Sequence, residues 1–164
     1  MYKVLIGLGS NLDTPVAQVK NAITRITDHK AIRLLACSSF YESLPQGPQD
    51  QANFINAVIC IETKLDPEAL LEFLQSIEQQ QGRIKTRHWG ERCIDLDILF
   101  IEGAMTQLNL PHLIIPHPHA LTRDFVLIPA IEIAADWVLP DGSTLQAALA
   151  ACLKHDLKKL ALSP

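Results

Sequence analysis

The segment CIDLDILF, residues 93–100, constrains this chain more than any other part of it. Ile94, Leu96, Ile98 and Phe100 alternate with Asp95, Asp97 and Leu99, and a period of two is that of a strand with one face in the core. Its other face is chemically unusual, because it carries two carboxylates. Val4, Ile6 and Leu8 alternate in the same way and predict a strand ending at Gly9-Ser10-Asn11. Thr14-Pro15 supplies a cap and a first-turn proline for a helix with the stripe Val16, Val19, Ile23 and Ile26. A second strand is expected across Ile32 to Tyr41 and a third over residues 54–63, separated by the loop ESLPQGPQDQA. Asp66-Pro67 opens a helix buried through Leu70, Leu71, Leu74 and Ile77, with Glu78 in its last turns and Gly82 placed to end it. Beyond the acidic strand, LPHLIIPHPHA reads as a rigid connection, followed by a short helix around Leu121 to Ile133, a turn at Pro140-Asp141-Gly142, and a final helix from Thr144. Strands separated by amphipathic helices, with hairpin-like pairs between them, predict an α+β sandwich: a mostly antiparallel sheet covered by helices, in one domain over 1–164.

Composition narrows the function classes. A net charge of -4 gives no general attraction for a polyanion, so nucleic acid is not the expected partner. No apolar run approaches the roughly 18 to 20 residues of a bilayer span, and MYKVLIGLGSN reads as a first strand instead of a secretory signal. A cytoplasmic, soluble enzyme is expected. Cys37, Cys60, Cys93 and Cys152 are scattered, without a C-x-x-C pair, and read as free thiols.

Asp95 and Asp97 share a strand face with α-carbons about 6.6 Å apart. Such a pair suits two hard cations roughly 4 Å apart, magnesium or manganese, although a lone D-x-D also arises by chance on exposed strands. Its neighbours raise its weight. RIKTRHWGER places Arg83, Lys85, Arg87 and Arg92 within ten residues, around Trp89, and guanidinium forks grip phosphate oxygens. With metal-holding carboxylates these are the parts of a nucleoside triphosphate site, built without a G-x-x-x-x-G-K-[ST] loop. His117 and His119 lie on the proline-rich segment, where one could reach phosphate while the other faces solvent. Zinc held by His88, Cys93, His117 and His119 matches no compact ligand spacing. Phe54 and Asn56 share a face at the start of the third strand, an aromatic ring and an amide suited to a flat heterocycle, with Phe125 available to close its other side. A nucleotidyl or sugar-nucleotide transferase would need a second large pocket, and an RNA-binding domain would need a basic, aromatic sheet surface.

HWGERCIDLDIL, residues 88–99, resembles the signature of the 6-hydroxymethyl-7,8-dihydropterin pyrophosphokinase family of folate biosynthesis. Its companions stand in order: GLGSN at 7–11, SSFYES at 38–43, GPQDQANFINAV at 47–58, EQQQGR at 78–83 and IPHPHALTRDFVLIP at 115–129. The resemblance implies a monomeric ferredoxin-like fold in which ATP gives its terminal diphosphate to the pterin hydroxymethyl group, releasing AMP. It implies two magnesium ions held by Asp95 and Asp97. It also implies a nucleotide site of Glu78, Arg83, Lys85, Trp89, Arg92, Ile98, His117 and Arg123, in which Arg83 and Arg92 join the aspartates in catalysis and the Trp89 loop closes over the nucleotide. The pterin would lie between Phe54 and Phe125, its edge read by Asn56 and the main chain of Ser43, Leu44 and Pro45. Phe54 stands where the family commonly has tyrosine, Lys85 where it can have arginine, and Pro118 where it can have an aromatic residue.

Overall fold

The computed structural model describes residues 1–12, 14–45, 50–82, 93–103, 107–154 and 157–161. β1 (Tyr2–Ser10) runs through the middle of the main sheet because it is apolar on both sides. Val4, Ile6 and Leu8 point to one face, where α1 (Pro15–Thr27) buries Val19, Ala22, Ile23 and Ile26, and α2 (Pro67–Gln80) buries Leu70, Leu74 and Ile77. Leu5 points to the opposite face with Val58 and Cys60 of β4 (Phe54–Thr63). α3 (Asp124–Ala134) and α4 (Leu145–Ala150) cover that side through Val126, Leu127, Ala130 and Leu145.

The order across the sheet is β5 (Asp95–Ile101), β1, β4, and then β2 (Ile32–Cys37) and β3 (Tyr41–Ser43), both on the far side of β4. Every pairing is antiparallel. This βαββαβ chain order, with β4 inserted between β1 and its crossover partner β2, is the ferredoxin-like arrangement. β6 (Leu108–Leu110) and β7 (Leu113–Ile115) form a separate hairpin, and β8 (Lys158–Lys159) adds to the outer edge of β3. Among the described residues no helix is long and apolar enough to cross a membrane.

The third strand and the α2 start lie where expected, with the Asp66 side chain accepting from Ala69 N at 2.8 Å. Four local expectations need correction. The alternation of β5 breaks at a β-bulge: Leu5 opposes Phe100 while Ile6 opposes Ile98, so Leu99 and Phe100 both join the α3 side and only Ile94, Leu96 and Ile98 stay on the first face. The strand expected from Ile32 to Tyr41 is two strands, interrupted where Ser38 Oγ accepts from Val58 N at 2.9 Å in place of a ladder carbonyl. The first half of the proline-rich connection is not irregular but forms the turn and second arm of the β6–β7 hairpin. Thr14 occupies the N-cap of α1 in a left-handed conformation, φ 59°, without a side-chain cap bond, so Pro15 provides the stronger start signal.

Candidate active site

The cross-strand register assembles a site on the α3 side of the sheet. Gly9 lies between Asp95 on β5 and Asn56 on β4, and Gly7 lies between Asp97 and Val58. Directly opposed residues share a face, so Gly9 forms the floor between Asp95 and the amide, and Gly7 stands beside Asp97. Neighbouring strands are about 4.8 Å apart, which leaves β4 and β5 roughly 10 Å apart; over Gly7 the Leu99 side chain fills that space, its methyl carbons 3.3 Å from where a Cβ would stand. A Cβ on Gly9 would stand 3.4 Å from Asn56 Oδ1 and 3.8 Å from Phe54 Cδ1. Gly9 therefore keeps the trough open between Asp95 and Asn56.

On the β4 wall, Asn56 is buried and its Nδ2 donates to Ser43 Oγ at 2.7 Å. That bond orients the amide toward the trough. Leu44, 45% exposed, and buried Pro45 follow at the end of β3. Glu78 lies behind the acidic wall: buried on α2, its Oε2 accepts from Leu96 N at 2.9 Å. Leu96 separates the two aspartates, so this bond satisfies an outer-edge N–H of β5 and holds the strand that presents them.

Arg123 and His117 approach from the other side. Burial pulls the Arg123 guanidinium below its usual pKa, while Asp97 and then Asp95 favour its charged form. Its Cζ lies 5.6 Å from the centre of the Phe125 ring. His117 is anchored by its main chain, N to Leu99 O at 2.9 Å, with Nε2 3.8 Å from Asp97 Oδ1. Burial, then Arg123 and His119, push its pKa down to about 4, so it is neutral at neutral pH and its approach to Asp97 is not an ion pair. His119 N donates to His117 Nδ1 at 3.2 Å, which leaves the ring proton on Nε2 as a hydrogen-bond donor. Beside them a cleft of about 270 Å³ is lined by Leu71, Ile98, Asp97, His117 and the β6–β7 turn.

The structure thus brings together Asp95, Asp97, Glu78, Ile98, His117 and Arg123, with Phe54, Asn56 and Ser43 around the adjoining trough and Phe125 beside Arg123. Arg83, Lys85, Trp89 and Arg92, with Arg87 and His88, lie outside the described residues. Among the described residues no three His, Cys, Asp or Glu side chains gather as a metal site. Two oxygen donors, with Asp97 47% exposed, fit a hard divalent cation whose remaining ligands are phosphate and water oxygens. Missed in the sequence are the glycine floor, visible there only once strand register is known, and the Ser43–Asn56 bond.

Fold and site define a small ferredoxin-like α+β protein with two carboxylates, a guanidinium and a neutral imidazole gathered at one side of its sheet. Residues 5–135 match the family model of 7,8-dihydro-6-hydroxymethylpterin-pyrophosphokinase. The chain is 44% identical over 160 residues to the 2-amino-4-hydroxy-6-hydroxymethyldihydropteridine pyrophosphokinase of Haemophilus influenzae, covering 98% of this chain and 99% of that one. It is 42% identical over 160 residues to the enzyme of the same name from Pseudomonas aeruginosa, covering 98% of each. Among solved structures it resembles wild-type Plasmodium falciparum HPPK-DHPS with pteroate, with a TM-score of 0.68 and 14% identity, over 92% of this chain but 42% of that longer one. The chain belongs to the 7,8-dihydro-6-hydroxymethylpterin-pyrophosphokinase family.

Proposed function

We propose that this chain transfers the terminal diphosphate of ATP to the hydroxymethyl group of 6-hydroxymethyl-7,8-dihydropterin in folate biosynthesis, releasing AMP, as a magnesium-dependent, single-domain cytoplasmic monomer. The observation that carries this reading is the glycine-floored trough joining the Asp95–Asp97 pair to Asn56 and Phe54. It puts the carboxylates, where phosphate would be held, and the amide and ring, where a flat ligand would lie, on opposite sides of Gly9. Phe54 and Phe125 would stack on the pterin, and Asn56 would read its edge. The cleft beside Ile98 and Leu71 would take the nucleoside end of ATP, with its phosphates running past His117 and Arg123 toward the aspartates.

Asp95 and Asp97 would hold the magnesium ions, which when bound neutralise phosphate charge and help to align the reacting oxygens. The pterin hydroxymethyl oxygen attacks the β-phosphorus in line, losing its proton as the new P–O bond forms, and the bond from the α-phosphoryl bridging oxygen to the β-phosphorus breaks. AMP departs with that bonding pair. Arg123 offsets charge on the transferred group, and neutral His117 donates through Nε2. Arg83 and Arg92 are assigned to the same phosphates, and Lys85 and the Trp89 loop to the nucleotide, on sequence grounds. Mass analysis of a reaction with magnesium-ATP and the hydroxymethylpterin should show pterin diphosphate and AMP. Pterin monophosphate with ADP would overturn the assignment.

A further inference from the structure

Glu132 lies on α3 about two turns beyond Phe125, away from the transferring atoms. Its carboxylate nevertheless collects bonds from the opposite sheet edge. Ser39 N donates to Oε1 at 3.0 Å and to Oε2 at 3.2 Å, Ser39 Oγ to Oε2 at 2.7 Å, and Tyr41 Oη to Oε1 at 2.7 Å. Lys159 Nζ of β8 stands 4.0 Å from Oε2. Hydrogen bonds to an ionised acceptor are about twice as strong as neutral ones, so this is a firm tie between α3 and the segment entering β3.

The tie meets the sheet where regular pairing has failed. Ser38 bridges the gap between β2 and β3 on the β4 side, its N donating to Val58 O and its Oγ accepting from Val58 N, each at 2.9 Å. Ser39, the next residue, turns to Glu132 on the α3 side. Side-chain bonds therefore take over the direction of the chain as it enters β3. Tyr41 stands directly across from Asn56, and two residues later Ser43 Oγ accepts from Asn56 Nδ2. α3 carries Phe125, beside Arg123 on the same side of the sheet, the ring assigned to the other face of the pterin.

We infer that Glu132 is a positioning residue for pterin recognition: by tying α3 to the start of β3 it sets the Ser43–Asn56 pair at its working distance from Phe125. This rests on the pterin reading above. A clasp serving stability alone would contribute the same hydrogen bonds but would not act selectively on one substrate.

The test is steady-state kinetics and thermal unfolding of Glu132→Gln and Tyr41→Phe, using magnesium-ATP and the hydroxymethylpterin. Glu132→Gln should raise the pterin KM about tenfold, equivalent to roughly 1.4 kcal/mol, while the ATP KM and kcat stay within about twofold. Tyr41→Phe, which removes one hydrogen bond and keeps the ring, should shift the same parameter in the same direction by less, and gives the readout if Glu132→Gln folds poorly. In an Asn56→Ala background, Glu132→Gln should add less than about twofold, because the group it positions is gone. An unchanged pterin KM in folded variants, equal rises in both KM values, or full additivity with Asn56→Ala would each overturn the role of Glu132. The pterin reading fails on a separate observation, wild-type protein that forms no pterin diphosphate, and this inference falls with it.

Discussion

Asp97→Asn keeps volume and polarity and removes one negative charge from a side chain that is 47% exposed. Stability should therefore change little, whereas single-turnover diphosphoryl transfer should fall by more than the roughly 10–100-fold typical of residues that only support a metal ligand. The double change with Asp95→Asn should cost less than the sum of the single losses, because each already disables the shared unit. Near-wild-type transfer by folded Asp97→Asn at low magnesium would remove the metal-ligand assignment. Gly9 and Gly7 separate site from scaffold in a second comparison. Gly9→Ala adds a carbon in ordinary contact with Asn56 and Phe54, so the fold should persist while the pterin KM rises several-fold. Gly7→Ala meets two Leu99 methyl carbons at 3.3 Å, and overpacking of that kind costs about 1–3 kcal/mol. A chemical denaturation curve and a pterin titration on each variant would show whether the effects divide this way. At this scale residue type and spacing were enough to single out Asp95, Asp97, His117, Arg123, Phe54 and Asn56, which the structure sets on one side of the sheet. What the glycines are for depended on strand register, which side-chain type does not encode.

Among elements, the acidic strand depends on the helix behind it. Glu78→Ala would leave the N–H of buried Leu96 without the carboxylate at 2.9 Å, an unsatisfied donor costing about 1–3 kcal/mol. Because that N–H lies between the two aspartates, kcat per folded molecule should fall together with the urea midpoint, and Glu78→Gln, which retains an acceptor oxygen, should recover part of both. A midpoint that drops with kcat unchanged would make Glu78 a purely structural prop. Periodicity recovered the elements whose burial is continuous: β4 over Phe54–Thr63 and α2 from Pro67, with its Asp66 cap. It failed where hydrogen bonding overrides period. The Leu99 bulge moves Phe100 across the sheet, Ser38 breaks one expected strand into β2 and β3, and a three-residue hairpin arm is too short to show alternation among prolines.

For the whole molecule, acid and alkali should weaken the fold from opposite directions, and the contacts joining its layers suggest where. Burial would raise the Glu132 pKa, but hydrogen bonds from Tyr41 and Ser39, with Lys159 nearby, outweigh it and hold the carboxyl below its usual 4.5. A depressed carboxylate contributes stability that is fully present above its unfolded value and is lost as pH falls through the folded one, so this part of the acid limb lies below about pH 4.5. The partners titrate on the alkaline side. Burial, then the nearby Glu132 charge, pushes the Cys37 thiol from 9.0 to about 11, and burial followed by the bond to Glu132 raises the Tyr41 phenol above 10. The folded state then keeps protons that the unfolded chain releases, so stability is present below pH 9 and declines as pH rises through the folded values. Urea unfolding of the wild type across this range should give a plateau between about pH 7 and 9, because buried His117, held down to about 4, also costs stability as pH falls below its usual 6.5. Glu132→Gln should flatten the contribution below pH 4.5 and also make the alkaline decline shallower, because burial still raises the Cys37 and Tyr41 values but the charge and hydrogen bond that add to it are changed. If only the acid limb responds, Glu132 is not electrostatically coupled to the β2–β3 segment in the folded protein, and its bonds there act without long-range consequence.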